Sequence, residues 1–330
     1  MVKLALITGG AGFIGSHLAE RLIAEGHHVV VLDNLSTGSR ANLSNLLQHP
    51  RFQLIVGDIT DEKLVAPLVE QTDVVFHLAA AVGVKLIVDK PLSSMTTNIR
   101  GTECVLEQAS KWNKRLVLAS TSEVYGKNSK SSFSEDDDLV YGNTSKSRWS
   151  YACSKAIDEF LALAHHRENG LPVTVLRYFN TVGPRQSDQY GMVLPTFVNQ
   201  ALSGSPITVH GTGTQRRTFT HVLDTVDATY RLAMDESSVG QVYNVGGSVE
   251  ISMMELAQTV KAKINSRSAV KAVPYHEAFK NKGFEDMQRR VPDCAKLNKQ
   301  IGYKPRYSLN DIIDSVIDYH QPSTQNAEMA

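Results

Sequence analysis

The sequence predicts an α/β protein: a doubly wound parallel sheet with a smaller α+β region at its C-terminal edge. Two observations carry this reading. Short apolar runs alternate with helical patterns through the first half, and a glycine-rich turn joins the first strand to the first helix. KLALIT (3–8), HVVVL (28–32), FQLIVG (52–57), DVVFHLA (73–79), RLVLAS (115–120) and PVTVLRY (172–178) read as strands. Between them, 16–26, 61–71, 98–112 and 151–169 carry apolar residues at helical spacing. Uninterrupted apolar strands that alternate with helices imply a parallel sheet covered on both faces. After residue 180 the pattern loosens, with a strand at 206–211 and helices near 194–203, 224–235, 252–264 and 308–319.

Composition excludes several classes. The chain has 330 residues, 42% hydrophobic and 21% charged, as in ordinary globular proteins. Lys+Arg and Asp+Glu are both 34, so neither a nucleic acid nor an anionic membrane surface is expected as partner. Cys104, Cys153 and Cys294 are odd in number and far apart, which fits neither a disulfide framework nor a metal-binding CxxC pattern. A reducing, cytoplasmic setting and no metal are expected. MVKLALIT runs straight into the glycine turn and fits neither signal peptide nor anchor, and nothing approaches the ~18 apolar residues of a membrane span.

TGGAGFIGSHL (8–18) places Gly9, Gly12 and Gly15 at G-x-x-G-x-x-G spacing between a strand and a helix. Such a turn lets the backbone approach a pyrophosphate, and the helix N-terminus at Phe13 and Ile14 holds its charge. Asp33 ends the second strand 18 residues after Gly15, with Asn34 next to it. A carboxylate there accepts hydrogen bonds from adenosine ribose hydroxyls and repels a 2′-phosphate, so NAD fits better than NADP. Arg40 is the one nearby counter-signal. Asp58 and Ile59 in GDIT suit the adenine, although packing alone would also explain Asp58, and Leu78, Ala79 and Ala80 form a small-residue strand end suited to close cofactor approach. The sheet is therefore expected to be Rossmann-type, with 1–180 (and a return segment near 215–245) binding NAD. Residues 181–322 are expected to form mainly a substrate domain, and 323–330 a flexible tail.

Tyr151 and Lys155 are four apart in YACSK and share one helix face. A phenol ionises near 10, so it needs a neighbouring ammonium to serve as a base at neutral pH. A Y-x-x-x-K pair read alone fits surface decoration better than catalysis. Its value lies in following the glycine turn and the strand end STSEVYG (120–126), where Thr121, Ser122 and Glu123 sit.

These motifs, in this order, resemble the extended short-chain dehydrogenase/reductase family, the NAD-dependent nucleotide-sugar epimerases, dehydratases and decarboxylases. The resemblance implies that Thr121 hydrogen-bonds the sugar 4-hydroxyl, Tyr151 removes its proton, and Lys155 holds the nicotinamide ribose. It gives Asn180 a diphosphate or sugar contact, and Arg217 and Arg290 a grip on the pyrophosphate. UDP-glucuronate decarboxylases carry Thr-Ser-Glu as here, with an arginine three residues before the tyrosine, matched by Arg148. The simple 4-epimerases have small or neutral residues at 122 and 123, and the hexose 4,6-dehydratases a carboxylate acid/base.

The resemblance implies oxidation at C4 of UDP-glucuronate, CO₂ loss from the resulting β-keto acid, and UDP-xylose or the 4-keto-pentose as product. In that scheme Ser122 and Glu123 lie near C5 and C6. A UDP-sugar 4-epimerase is the alternative, a 4,6-dehydratase the third, and a non-catalytic NAD-binding regulator the rival of a different class. A homodimer, paired through the helices at 98–112 and 151–169, is also implied. His77 reads as a packed core histidine, and the polar, acidic segment 127–147 as a solvated loop or a lid beside the site.

Overall fold

The computed structural model describes residues 2–83, 87, 89–188, 192–278 and 285–321. The expected tail at 323–330 therefore lies outside the described residues. Six strands come from the apolar runs: β1 (Leu4–Thr8), β2 (His28–Asp33), β3 (Phe52–Val56), β4 (Val74–His77), β5 (Arg115–Thr121) and β6 (Val173–Tyr178). Val242–Val245 adds a seventh, giving the order Val242–Val245, β6, β5, β4, β1, β2, β3, with every pairing parallel. This edge strand was not legible as a strand, because its alternating VYNV is too short for a periodicity to emerge.

Four helices link the strands: α1 (Phe13–Ala24), α2 (Glu62–Gln71), α3 (Pro91–Lys111) and α4 (Arg148–Asn169). On one face α1 and the helix Val222–Ala233 pack Leu18, Leu22, Val226 and Leu232 against Ile7, Val29 and Val31. On the other, α2 and α3 pack Val65, Val69, Val105 and Ala109 against Leu6, Leu32, Val75 and Leu118. Adjacent strand residues thus feed opposite cores, and so the runs are apolar throughout.

Two helices begin earlier than their patterns suggest. Pro91 starts α3 because proline suits a helix's first turn, and α4 starts at Arg148, which puts that arginine on the same helix as Tyr151. A separate apolar cluster, with Phe197, Leu256 and Ile313 among its members, holds together Val193–Leu202, Met253–Ile264 and Leu309–His320. Short strands complete this side: Ile207–His210, where a strand was expected, pairs parallel with Val270–Val273, and Arg216–Thr218 pairs antiparallel with Glu250–Ser252 and parallel with Arg289–Arg290.

The segment 127–147 is not simply solvated. Phe133 is fully buried and stacks on Tyr125 with ring centroids 4.8 Å apart. Its backbone bridges to the far end of the chain, its N–H donating to Val291 O at 2.8 Å and its carbonyl accepting from Asp293 N at 2.8 Å.

Candidate active site

The strand order reverses between β1 and β4, which opens a crevice at their C-terminal ends. The glycine turn after β1 faces the Leu78–Ala80 end of β4 across it. Gly9 has φ +72°, and a Cβ there would lie 2.7 Å from Ala79 Cα. At Gly15 a Cβ would lie 2.4 Å from Gly9 O. Only glycine permits this packing, and it leaves the start of α1 open to a ligand phosphate, since Gly12 caps the helix without a side chain.

Asp33 ends β2 beside this turn. Its Oδ2 accepts from Ala11 N at 2.9 Å and its Oδ1 from Leu35 N at 2.8 Å, while burial pushes its carboxyl up. Asn34 donates to Asp58 Oδ2 at 2.8 Å, joining two of the expected adenosine contacts. Burial acts to raise the Asp58 carboxyl, but the Thr60 amide and hydroxyl and Asn34 outweigh it and hold it low. Ile59 is buried behind Asp58, and Arg40 is exposed on its own short turn. The crevice, the glycine cradle and the terminal carboxylate together fit a dinucleotide such as NAD.

β5 ends at Thr121 in the next position along the sheet, and one helical turn, Ser122–Tyr125, follows it. The Thr121 hydroxyl accepts from Glu123 N at 3.3 Å and also hydrogen-bonds Tyr151, which α4 brings alongside. Tyr151 is buried to 7% exposure; burial raises its phenol, Glu123 and Asp158 raise it further, and Arg148 and Thr121 oppose them. Ser122 is buried at the start of the turn. Lys155 donates to Asp158 Oδ2 at 2.7 Å, one turn along the same helix.

Glu123 is held by two arginines: Arg148 Nη1 donates to its Oε2, and Arg290 Nη1 donates to its Oε1 at 3.2 Å. Burial acts to raise the carboxyl, but the two guanidiniums outweigh it and hold it below the usual carboxylate range. Arg290 Nη2 also donates to Asn180 Oδ1, and Asn180 Nδ2 donates to Thr218 O at 2.8 Å. Burial and the neighbouring Arg217 lower Arg290 to about 10. Arg217 and Arg290 are register partners on adjacent strands. Arg217 is also held by Asp286, at 3.0 Å, and by Met287 O, at 2.6 Å. Thus Thr121, Glu123, Arg148, Tyr151, Asn180 and Arg290 form one connected constellation, with Lys155 beside it and Arg217 behind Arg290.

Sequence reasoning missed Asp158, Asp286 and Asn98. Asn98 holds the β4 end, its Oδ1 accepting from Ala81 N at 2.7 Å. Asp158 could have been found, because it is three residues after Lys155 on the same helical face. Asp286 and Asn98 have no local signal that ties them to their partners.

This sheet and this site define an NAD-dependent nucleotide-sugar-modifying enzyme. The family model described as GDP-mannose 4,6 dehydratase matches residues 6–316. The chain belongs to that family, the NAD-dependent nucleotide-sugar epimerase/dehydratase group of the extended short-chain dehydrogenases. It is 43% identical over 320 residues to a UDP-N-acetyl-alpha-D-glucosaminuronate decarboxylase of Bacillus cytotoxicus, covering 97% of this chain and 98% of the relative. It is 37% identical over 309 residues to UDP-glucuronic acid decarboxylase 3 of Arabidopsis thaliana, covering 93% and 85%. Among solved structures, a UDP-glucuronic acid 4-epimerase from Bacillus cereus, in complex with UDP-glucuronic acid and NAD, superposes with TM-score 0.85 at 29% identity, covering 96% and 98%. Among the described residues no helix is long and apolar enough to cross a membrane, and no three His, Cys, Asp or Glu side chains cluster as a metal site would require.

Proposed function

We propose that the chain decarboxylates a UDP-hexuronate, UDP-glucuronate or its N-acetylated amino counterpart, with bound NAD. The observation that carries this reading is Glu123, fixed as an anion between Arg148 and Arg290 beside Thr121 and Tyr151. A 4,6-dehydratase needs a base to take the C5 proton, and a carboxylate held low with both oxygens engaged is a poor one. Decarboxylation needs no such base, because the electrons come from the C5–C6 bond. The two decarboxylase relatives point the same way.

NAD⁺ would be held by Gly9, Gly12, Phe13, Ile14, Asp33, Asn34, Asp58, Ile59, Leu78, Ala79, Ala80, Tyr151 and Lys155, and supplies a reversible hydride acceptor for C4. Tyr151 takes the 4-hydroxyl proton, and Thr121 orients that hydroxyl. Once C4 is a ketone, the C6 carboxylate is β to it. The C5–C6 bond breaks, CO₂ leaves, and its electron pair delocalises over C5, C4 and the C4 oxygen as an enolate. Tyr151, now protonated, and Thr121 donate to that oxygen. C5 then takes a proton from a water positioned by Ser122 and Glu123, which gives the 4-keto-pentose, and return of the hydride to C4 with the Tyr151 proton to its oxygen would give the UDP-pentose. Two guanidiniums against one carboxylate leave one net positive charge, enough to orient the substrate carboxylate without a firm pair that would stabilise it against loss. Asn180, Arg217 and Arg290 are assigned to the diphosphate and sugar.

In D₂O, decarboxylation places one deuteron at C5 of the pentose product, which proton NMR reads directly. A 4-epimerase, the second reading, is favoured by the Bacillus cereus superposition and needs only Thr121, Tyr151 and Lys155. It would leave C5 undeuterated and release no CO₂. A homodimer belongs to the same proposal: Phe160 on α4 is 66% exposed and Leu92 on α3 80%, although both helices pack on the sheet. Sedimentation measures that state.

A further inference from the structure

Asp158 has no role in the chemistry above, yet it lies fully buried one helical turn from Lys155. A run of hydrogen bonds converges on it from the opposite side of the crevice. Thr8, the last residue of β1, has its hydroxyl 2.7 Å from His77 Nδ1 and accepts from Ala79 N at 3.3 Å. His77 Nε2 lies 3.0 Å from the Thr102 hydroxyl on α3, and that hydroxyl lies against the Asp158 carboxylate, which burial pushes up while Lys155 and Thr102 favour its charged form.

One proton arrangement satisfies every bond. Ala79 N–H donates to Thr8, the Thr8 hydroxyl donates to Nδ1 of a neutral His77, and Nε2–H donates to Thr102, whose hydroxyl points to Asp158. Burial and the neighbouring Lys155 push His77 down to about 3, so the neutral ring this needs is the form present. The chain therefore runs one way, from the cofactor-facing strand ends to an anion, and Lys155 donates to that same anion from the other side.

We propose that Asp158 is a positioning residue acting through Lys155: it takes one of the three ammonium protons and leaves two for a cofactor ribose, and its negative charge offsets the lysine's beside Tyr151. An ammonium carries three rotatable donors and no fixed direction, so without such an anchor it would be poorly oriented. The charged groups acting on Tyr151 are Glu123, from the turn after β5, and Asp158 and Arg148, from α4, with Lys155 one turn along the same helix. Asp158 alone among them both touches Lys155 and sits outside the arginine network.

This inference rests on the NAD-dependent oxidation at C4 proposed above, not on decarboxylation. The test compares Asp158→Asn, which keeps an oxygen for Lys155 but loses the charge, with Asp158→Glu, which keeps the charge. NAD⁺ affinity is read by titration calorimetry, and the acid limb of kcat/KM on whichever of UDP-glucuronate, UDP-N-acetylglucosaminuronate or UDP-glucose the wild type converts. In Asp158→Asn the acid limb should move to lower pH by on the order of one unit, since a nearby like charge no longer opposes the phenolate. NAD⁺ binding should weaken several-fold. Asp158→Glu should restore the wild-type limb. A limb unmoved in Asp158→Asn, with only stability lowered, overturns the proposal and leaves Asp158 a packing residue. Should Asp158→Asn not fold, Asp158→Ser carries the same expectation. Conversion of UDP-glucose alone would sink the decarboxylase reading and leave this comparison intact.

Discussion

Glu123 and Arg148 form a buried ion pair, the arginine 3% exposed and the glutamate side chain 13%, between the turn that follows β5 and the first residue of α4. The pair fixes the distance between Thr121 and Tyr151, because each partner sits two or three residues from one of them. Arg290 closes it from the far end of the chain.

Breaking this pair from the arginine side should be costly. Arg148→Met leaves a buried carboxylate with one guanidinium and should lower stability by about 3 kcal/mol, the usual scale for an orphaned buried charge. Chemical denaturation measures it. Glu123→Gln leaves the guanidiniums of Arg148 and Arg290 buried with no carboxylate between them and should cost at least as much.

The pH dependence of that pair has a definite sign. The native Glu123 carboxyl lies below its ordinary 4.5, so its contribution is fully present above 4.5 and is lost as pH falls through the lower native value. The stability difference between wild type and Glu123→Gln should therefore be flat from neutral pH to about 5 and close only in stronger acid. Denaturation midpoints at a series of pH values show whether it does.

Tyr151→Phe keeps the ring and removes the proton acceptor. Turnover should fall roughly 10²- to 10⁴-fold, the usual worth of a positioned acid–base group, with NAD⁺ affinity within a few-fold of wild type. Equal loss of both would place Tyr151 in binding rather than proton transfer.

The glycine cradle gives a graded prediction. A Cβ at Gly15 meets backbone at 2.4 Å, whereas at Gly12 the nearest atom is Gly9 O at 3.1 Å. Gly15→Ala should weaken NAD⁺ binding by roughly tenfold or more and destabilise the fold by about 1–3 kcal/mol, as overpacking does. Gly12→Ala should be the milder of the two by both measures.

Local motifs made part of this site legible. The glycine turn, Asp33 and Thr121 each sit at or next to an element boundary that periodicity locates, the Tyr151–Lys155 pair was legible from its four-residue spacing on a helix, and the fold class followed from the same alternation. Arg148 was legible as a residue but not as a member of α4. What stayed hidden was long-range or too short for a period. Glu123 and Arg290 are 167 positions apart, and the strand carrying Arg290 has two residues. The buried run from Thr8 through His77 to Thr102 joins three elements whose side chains look like ordinary packing when read singly. Phe133 hides likewise, as one apolar residue in a polar segment whose partner strand lies far away.

The most direct test of the central claim is incubation of the purified protein with NAD⁺ and UDP-glucuronate, and separately with UDP-N-acetylglucosaminuronate, with released CO₂ measured while proton NMR follows the sugar. The account predicts stoichiometric CO₂ and a UDP-pentose or UDP-4-keto-pentose from at least one of the two. A C4 epimer formed without CO₂ from either would contradict it.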